Sequence, residues 1–213
     1  MISANNNIVI LADGQFPATE YPLQLLHNAN AIVCCDNSVT KLLKNTSLQP
    51  THIVGDMDSL SAENKQHFKD IIHKSPDQQT NDLTKAFEFT LTLNPTHIYI
   101  LGATGYREDH TLGNISLLAQ YAQTFPNIEI ITDYGIFTAH FNSCTIECKP
   151  KQQISIFAFD PTLKIKSKGL VYPTNNVTFD LWYKATLNEA VSNSFELEFN
   201  HPSGVLVYKA FFI

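Results

Sequence analysis

Short apolar runs alternate with helix-forming segments through the first 132 residues, and this alternation constrains the fold more than any other feature of the sequence. The runs occupy residues 8–12, 31–35, 52–54 and 97–101. Between them, Leu83, Ala86, Phe87 and Leu91 recur at helical spacing, and a similar pattern follows His110. Strand alternating with helix predicts an α/β domain, in which a mostly parallel sheet is flanked by helices.

The pattern changes near Thr138, where apolar and polar residues begin to alternate one by one and helical spacing ends. Strands are predicted at residues 153–159, 163–165, 177–181, 195–199 and 205–212. Short strands separated by turn residues indicate a smaller, all-β sandwich. We therefore predict two domains, an α/β domain over residues 1–135 and a β-sandwich over residues 136–213.

Composition excludes several classes of function. The net charge of −6 and the pI near 5.7 argue against a nucleic-acid partner, because such binding rests on Lys and Arg that neutralise phosphates. No apolar run approaches the ~20 residues that span a bilayer, and the first residues do not resemble a signal peptide. We expect a soluble, cytoplasmic protein with no membrane partner. Four cysteines in 213 residues are too few for a disulfide framework.

The motif Gly55-Asp56-Met57-Asp58-Ser59 places two carboxylates directly after an apolar run. Residues two apart in an extended chain project to the same side, so Asp56 and Asp58 are expected to share one divalent cation. Ligands of open α/β sheets bind outside the carboxyl ends of the strands, where this motif falls. The alternative is a solvated turn in which an Asp side chain caps the next helix.

Other strand ends carry similar chemistry. Asp36 and Asn37 follow residues 31–35, where they either face a ligand or cap the next helix. The loop that begins at Gly102 opens a helix and contains Arg107, so it offers backbone N–H groups and a guanidinium to phosphate. Lys85 adds a further positive charge. Carboxylates beside basic groups and a glycine loop indicate Mg²⁺-dependent phosphoryl chemistry.

Taken in order, these motifs resemble the thiamine pyrophosphokinase (thiamine diphosphokinase) family. The resemblance is carried by residues 55–59, 77–86, 102–114, 169–173 and 192–193. It implies an N-terminal catalytic domain, a C-terminal sandwich that binds thiamine, and a homodimer whose active sites are shared between chains. It also implies the reaction, in which the hydroxyl of thiamine attacks the β-phosphorus of ATP, thiamine diphosphate forms and AMP leaves.

The resemblance implies a role for each matching residue. Asp56, Asp58 and Asp82 correspond to carboxylates that hold Mg²⁺ and position phosphate, and with Arg107 and Asp109 they form the catalytic set. The residues implied to bind thiamine are Gln78, Asp109, Asn114, Ser192 and Asn193. The residues implied to bind the nucleotide are Asp36, Asn37, Lys85, Gly102, Thr104, Gly105 and Arg107. Alternatively, Asp82 and Asp109 only cap helices, and Ser192-Asn193 is only a turn.

The chain also departs from the family pattern. Gln79 stands where many members carry an aspartate and Asn81 where they carry a threonine, so one carboxylate is missing, and Tyr106 replaces a common glycine before the arginine. Trp182 is the single tryptophan, and we expect it to be buried in the core. Two competing functions remain: another Mg²⁺-dependent nucleotide phosphohydrolase or transferase, and a non-catalytic ligand-binding protein on the same fold. Neither a Walker-type loop nor Gly-x-Gly-x-x-Gly occurs, which argues against an ordinary kinase or a dinucleotide enzyme.

Overall fold

A computed structural model of the protein describes residues 5–75 and 79–211. These residues form two compact units. The first extends to Leu117 and includes Asn127–Asp133, and the second comprises Leu118–Pro126 and the chain from Tyr134 onward. In the part of the chain that is described, no helix combines the length and apolar character needed to cross a bilayer.

The first unit is built on a parallel sheet. Its strands are β1 (Asn7–Leu11), β2 (Ala31–Cys35), β3 (His52–Gly55), β4 (Ile72–Lys74), β5 (His97–Leu101) and β6 (Ile128–Ile131). They lie in the order β6-β5-β1-β2-β3-β4, and every pair of neighbours is parallel. The chain moves outward from β1 to β4 and then returns to the other side of β1. The sheet thus has a switch point between β1 and β5, which is where ligands bind in open α/β folds.

Helices alternate with these strands, as predicted. They are α1 (Glu20–His27), α2 (Ser38–Asn45), α3 (Ala62–His67), α4 (Asp82–Leu91) and α5 (Glu108–Thr124). Ile8, Val9, Ile10 and Leu11 are all at most 1% exposed, because strands covered on both faces are apolar without alternation. The strand β4 was not predicted, because only half-buried or exposed residues form it.

The second unit is a sandwich of two antiparallel sheets. Its strands are β7 (Gly135–His140), β8 (Cys144–Glu147), β9 (Gln153–Ala158), β10 (Ile165–Lys168), β11 (Asn188–Glu189), β12 (Ser194–Phe199) and β13 (Val205–Ala210). One sheet has the order β11-β9-β13-β7 and the other β10-β12-β8. Apolar residues of both sheets form one core, among them Ile156 and Val207 from the first sheet and Ile165 and Phe195 from the second. The predicted α/β fold with a C-terminal all-β part is confirmed.

Two predictions for the second unit were wrong. Residues 177–181 form turns rather than a strand, and a 3₁₀ helix, Trp182–Ala185, follows them. Trp182 is 43% exposed and packs edge-on against Phe157 and Phe159, so it is not a buried core residue. In this segment Phe179 is buried while Leu181, two residues later, is exposed, so the apolar residues that alternate in the sequence do not share one buried face as they would in a strand.

Candidate active site

A cleft of about 430 Å³ opens at the switch point of the parallel sheet. Its walls come from the segments that follow β1, β2, β3 and β5, and from the first turns of α4 and α5. Its lining includes Gly14, Asp36, Ser59, Asp82, Tyr106, Arg107 and Asn114. Among the strand-end residues that the sequence singles out, Asp36, Gly105 and Arg107 line this cleft, whereas Asp56 and Asp58 do not.

Three carboxylates meet in this region: Asp36 after β2, Asp56 after β3 and Asp82 at the start of α4. One oxygen from each lies within 4.8 Å of the others. Because β2 and β3 are neighbours in the sheet, their carboxyl ends bring Asp36 and Asp56 together. Carboxylate oxygens are the ligands that hard divalent cations prefer, so these three residues fit Mg²⁺.

Asp36 is the most constrained member of this acidic cluster. It is 4% exposed, and its backbone has a φ of +40°. Its Oδ2 accepts hydrogen bonds from the Ser59 hydroxyl at 2.5 Å and from the Ser59 N–H at 3.3 Å. Its Oδ1 is buried and accepts no hydrogen bond from any residue that the structure describes. Burial, and then repulsion from Asp82 and Asp56, raise the pKa of Asp36, while the bonds from Ser59 oppose this rise.

A glycine makes this convergence possible. A Cβ at Gly55 would lie 3.0 Å from the Cβ of Asp36 and 3.3 Å from Oδ1 of Asp82. Those distances are tighter than ordinary packing, so a larger residue would push the carboxylates apart. The glycine of the Gly55-Asp56-Met57-Asp58-Ser59 motif thus has a structural role that the sequence alone does not indicate.

Asp58 does not join the cluster, contrary to the expectation that it points the same way as Asp56. Met57 has a φ of +68° and is buried, so the chain turns sharply between the two aspartates. Residues two apart project to one side only when the backbone is extended. Asp58 is exposed, and its N–H instead donates to Oδ1 of Asp56 at 2.9 Å.

Lys85 is 6% exposed, and its Nζ lies 3.1 Å from Oδ1 of Asp82, one turn earlier on α4. This buried ammonium offsets part of the negative charge of the acidic cluster. Asn81 caps α4, since its side-chain oxygen accepts a hydrogen bond from the N–H of Thr84 at 2.8 Å. Asp82 is therefore not the cap of this helix, and its carboxylate is directed to Lys85 and the cluster.

The loops after β1 and β5 pair with each other beside the acidic cluster. The N–H of Gly14 donates to the carbonyl of Gly102 at 2.7 Å, and the N–H of Gln15 donates to that of Thr104 at 2.8 Å. A Cβ at Gly14 would lie 2.3 Å from the Gly102 carbonyl oxygen. Two glycines meet here because no side chain fits between the loops. Gly14 was not predicted as a site residue, although the dipeptide Asp13-Gly14 directly follows an apolar run.

Arg107 and Asp109 stand at the start of α5. Their side chains form a two-point ion pair, and both are largely exposed. The hydrogen bonds from Arg107 lower the pKa of Asp109 to about 2. Asn114, one to two turns further on, donates to the carbonyl of Ala103 at 2.8 Å and so holds the loop that precedes the helix.

The remaining predicted residues lie in other places. Asn37 precedes α2, and its side chain accepts a hydrogen bond from the Thr40 hydroxyl at 2.8 Å. Ser192 and Asn193 form an exposed turn before β12 in the second unit, where their carbonyls accept hydrogen bonds from the thiol and the N–H of Cys148. Gln78 lies outside the described residues.

Comparisons with known proteins indicate the same family for both parts of the chain. The family model described as "Thiamin pyrophosphokinase, catalytic domain" matches residues 22–132, and the one described as "Thiamin pyrophosphokinase, substrate-binding domain" matches residues 135–208. The chain is 27% identical to the thiamine pyrophosphokinase of Bacillus subtilis over 79% of its own length and 81% of that protein. It is 39% identical to thiamine pyrophosphokinase 1 of rice (Oryza sativa subsp. japonica), over only 39% of the chain and 34% of the rice protein.

Solved structures share the fold. A protein from Lactobacillus plantarum superposes with a TM-score of 0.81 at 24% identity, covering 99% of this chain and 100% of that one. The thiamin pyrophosphokinase from Geobacillus thermodenitrificans superposes with a TM-score of 0.77 at 23% identity, covering 97% of this chain and 98% of that one.

Proposed function

Because the chain belongs to the thiamin pyrophosphokinase family, we propose that it transfers the diphosphoryl group of ATP to the hydroxyl of thiamine. The observation that carries the proposal is the acidic cluster of Asp36, Asp56 and Asp82, two members of which, Asp36 and Asp82, line one cleft together with Gly105 and Arg107. Negative and positive groups in one cleft suit a metal-bound triphosphate, whose transfer needs positioning and charge stabilisation more than covalent chemistry.

Asp36, Asp56 and Asp82 would hold Mg²⁺. Oδ1 of Asp36 supports this assignment, because it is buried without a hydrogen-bond partner among the described residues and a bound cation would supply one. When bound, Mg²⁺ neutralises charge on the phosphate oxygens and fixes their orientation. Lys85 keeps Asp82 in place. Arg107 and the N–H groups at the start of α5 would bind the phosphate oxygens.

In the reaction, the hydroxyl oxygen of thiamine forms a bond to the β-phosphorus while the bond from that phosphorus to the α–β bridging oxygen breaks. AMP leaves with the bridging oxygen, and the hydroxyl proton is released. Asp109, with a pKa of about 2, is ionised at neutral pH. As a carboxylate it would accept a hydrogen bond from the hydroxyl and orient it.

We further propose that thiamine binding is completed across a homodimer by Ser192 and Asn193, with Gln78 and Asn114 contributing from the first unit. The exposure of the Ser192-Asn193 turn supports this, because exposed polar groups are available to a second chain. Thiamine carries a positive thiazolium, which suits an acidic cleft. We place the reaction in the cytoplasm, since all four cysteines are free thiols, as is usual in a reducing compartment.

The proposal is tested by measuring AMP and thiamine diphosphate after incubation with ATP, Mg²⁺ and thiamine. Both products should appear in equal amounts, and EDTA should stop their formation. AMP release that proceeds equally well without thiamine would instead indicate a phosphohydrolase. Binding of ATP and thiamine without any product would indicate a non-catalytic ligand-binding protein.

A further inference from the structure

We propose that the ring of Tyr106 is the stacking surface for the nucleobase of the nucleotide bound in the cleft. The inference rests on the proposed function, because it assumes that a nucleotide is the phosphate donor. It adds a recognition element that the acidic cluster and Arg107 cannot supply, since those groups are proposed to bind only metal and phosphate.

The position of Tyr106 is not explained by packing. Its side chain is 70% exposed, so folding buries little of the ring. Its backbone has a φ of +62°, a left-handed conformation that residues other than glycine adopt reluctantly. An exposed aromatic ring on an unfavourable backbone conformation is a combination that occurs at ligand sites. Tyr106 also lines the cleft directly beside Arg107.

One face of the ring is already held by a fixed cation. The Nζ of Lys41 lies 4.9 Å from the ring centroid, within the range of a cation–π contact. Lys41 is itself anchored by an ion pair of 2.7 Å to Asp13 and by hydrogen bonds to the carbonyls of Asp13 and Gly14. The ring is therefore positioned on one face by α2 and the loop after β1, and its large exposure leaves area for a ligand.

The Lys41 contact decides which ligand ring fits best. A cation on one face withdraws electron density from the tyrosine ring, so a second cation on the opposite face, such as a thiazolium, is disfavoured. A neutral, electron-rich purine stacks well on such a ring. Tyr106 adjoins the proposed phosphate-binding Arg107 in sequence, which places it within reach of a base joined to those phosphates through ribose.

The test compares AMP with ribose 5-phosphate, which lacks only the base, in EDTA so that no metal contributes. Affinities are measured by calorimetry for the full-length wild type, Tyr106→Gly, Tyr106→Phe and the control Tyr183→Ala, which removes a similarly exposed tyrosine of the second unit. Glycine suits the backbone at position 106, so folding is not at risk. Tyr106→Gly should weaken AMP binding about tenfold, the scale for losing one base–aromatic stack. Ribose 5-phosphate should bind all four proteins with equal affinity. The affinities of Tyr106→Phe and Tyr183→Ala for AMP should lie within about twofold of the wild-type value.

Three results would overturn the inference: unchanged AMP affinity in Tyr106→Gly, an equal loss for AMP and ribose 5-phosphate, or a selective loss of thiamine binding. The first result denies any role, the second indicates a loop-shaping role, and the third assigns the ring to the other substrate. The proposed function is judged separately, by product formation in the wild type. Base-dependent binding without thiamine diphosphate synthesis would refute the function alone, and synthesis with unchanged AMP binding in Tyr106→Gly would refute only the role of Tyr106.

Discussion

Asp36 and Ser59 are joined by two hydrogen bonds, since both the hydroxyl and the N–H of Ser59 donate to Oδ2 of Asp36. The serine thereby fixes one carboxylate oxygen and leaves the other, Oδ1, buried next to Asp56 and Asp82 without a donor among the described residues. Removing a donor from a buried charged oxygen is costly. The arrangement is therefore poised to gain free energy when a cation enters.

We expect Asp36→Asn to stabilise the metal-free protein and to abolish stabilisation by Mg²⁺. The raised pKa of Asp36 means that the metal-free fold loses stability as pH rises above 3.8 and through the pKa of the folded state. Asparagine has no such titration, and its amide can donate to the neighbouring carboxylates. Thermal unfolding at pH 7, with and without Mg²⁺, checks this. Glu63→Gln, an exposed substitution on α3, serves as the control. If Mg²⁺ stabilises Asp36→Asn as much as it stabilises the wild type, the proposed metal site is refuted.

We expect Asp56→Asn, Asp82→Asn and Arg107→Ala each to lower turnover by about 10² or more, the scale for losing a preorganised electrostatic contact. Asp58→Asn should lose far less, because its carboxylate lies outside the cluster. Turnover and unfolding free energy should be measured on the same preparations. If the three variants unfold while their folded fraction stays active, the side chains serve only the fold.

The lowered pKa values of His52 and His73 predict that the protein is less stable in mild acid. Their ring nitrogens lie 3.0 Å apart on β3 and β4, and both rings pack against Phe89. Burial lowers the pKa of both, and the charge of His73 lowers that of His52 further. A depressed histidine pKa means that the unfolded chain binds more protons, so stability should fall as pH drops below 6.5 toward the pKa values of the folded state.

The measurement is the free energy of unfolding at pH 7.5 and pH 5.5, for wild type and for His73→Phe. The variant keeps an aromatic ring beside Phe89 but removes one titrating group and its charge. The difference between the two pH values should be smaller in the variant. An equal difference in both proteins would show that other groups govern the acid response.

The proposed shared active site predicts complementation between Asp82→Ala and Asn193→Ala, provided that each variant is inactive alone. If two chains build each site, a mixed dimer holds one doubly damaged site and one intact site. Random exchange makes half of the dimers mixed, so activity should return to about a quarter of wild type. Absence of any recovery, after subunit exchange has been verified, would show that each chain supplies its own complete site.

The buried parallel strands could be predicted from the sequence nearly to the residue. Residues 31–35 and 97–101 form β2 and β5 with the predicted bounds. The signal is clearest for β2, which is apolar without alternation because strands covered on both faces have this pattern. The short strand Ile72–Lys74 has no such signal, since its burial is partial. In the second unit, residues 177–181 alternate like a strand but form turns.

The site could be predicted as a region but not in its detailed geometry. Carboxylates at the ends of β2 and β3 mark it in the sequence. Asp58 is kept out of the acidic cluster by the left-handed turn at Met57. This turn could not be predicted, because methionine is not a residue type that is typical of positive φ. The contact of Lys41 with Tyr106 joins residues far apart in sequence, and only the packing of α2 beside the paired loops brings them together.

The most direct measurement of the central claim follows phosphorus atoms from ATP labelled in the β position, with thiamine and Mg²⁺ present. Diphosphoryl transfer predicts that all of the label lost from ATP appears in thiamine diphosphate, while the AMP formed is unlabelled. Label in ADP, accompanied by thiamine monophosphate, would mean that only the γ-phosphoryl group moves. Label in free pyrophosphate or phosphate, in place of thiamine diphosphate, would mean hydrolysis, and either result would contradict the account.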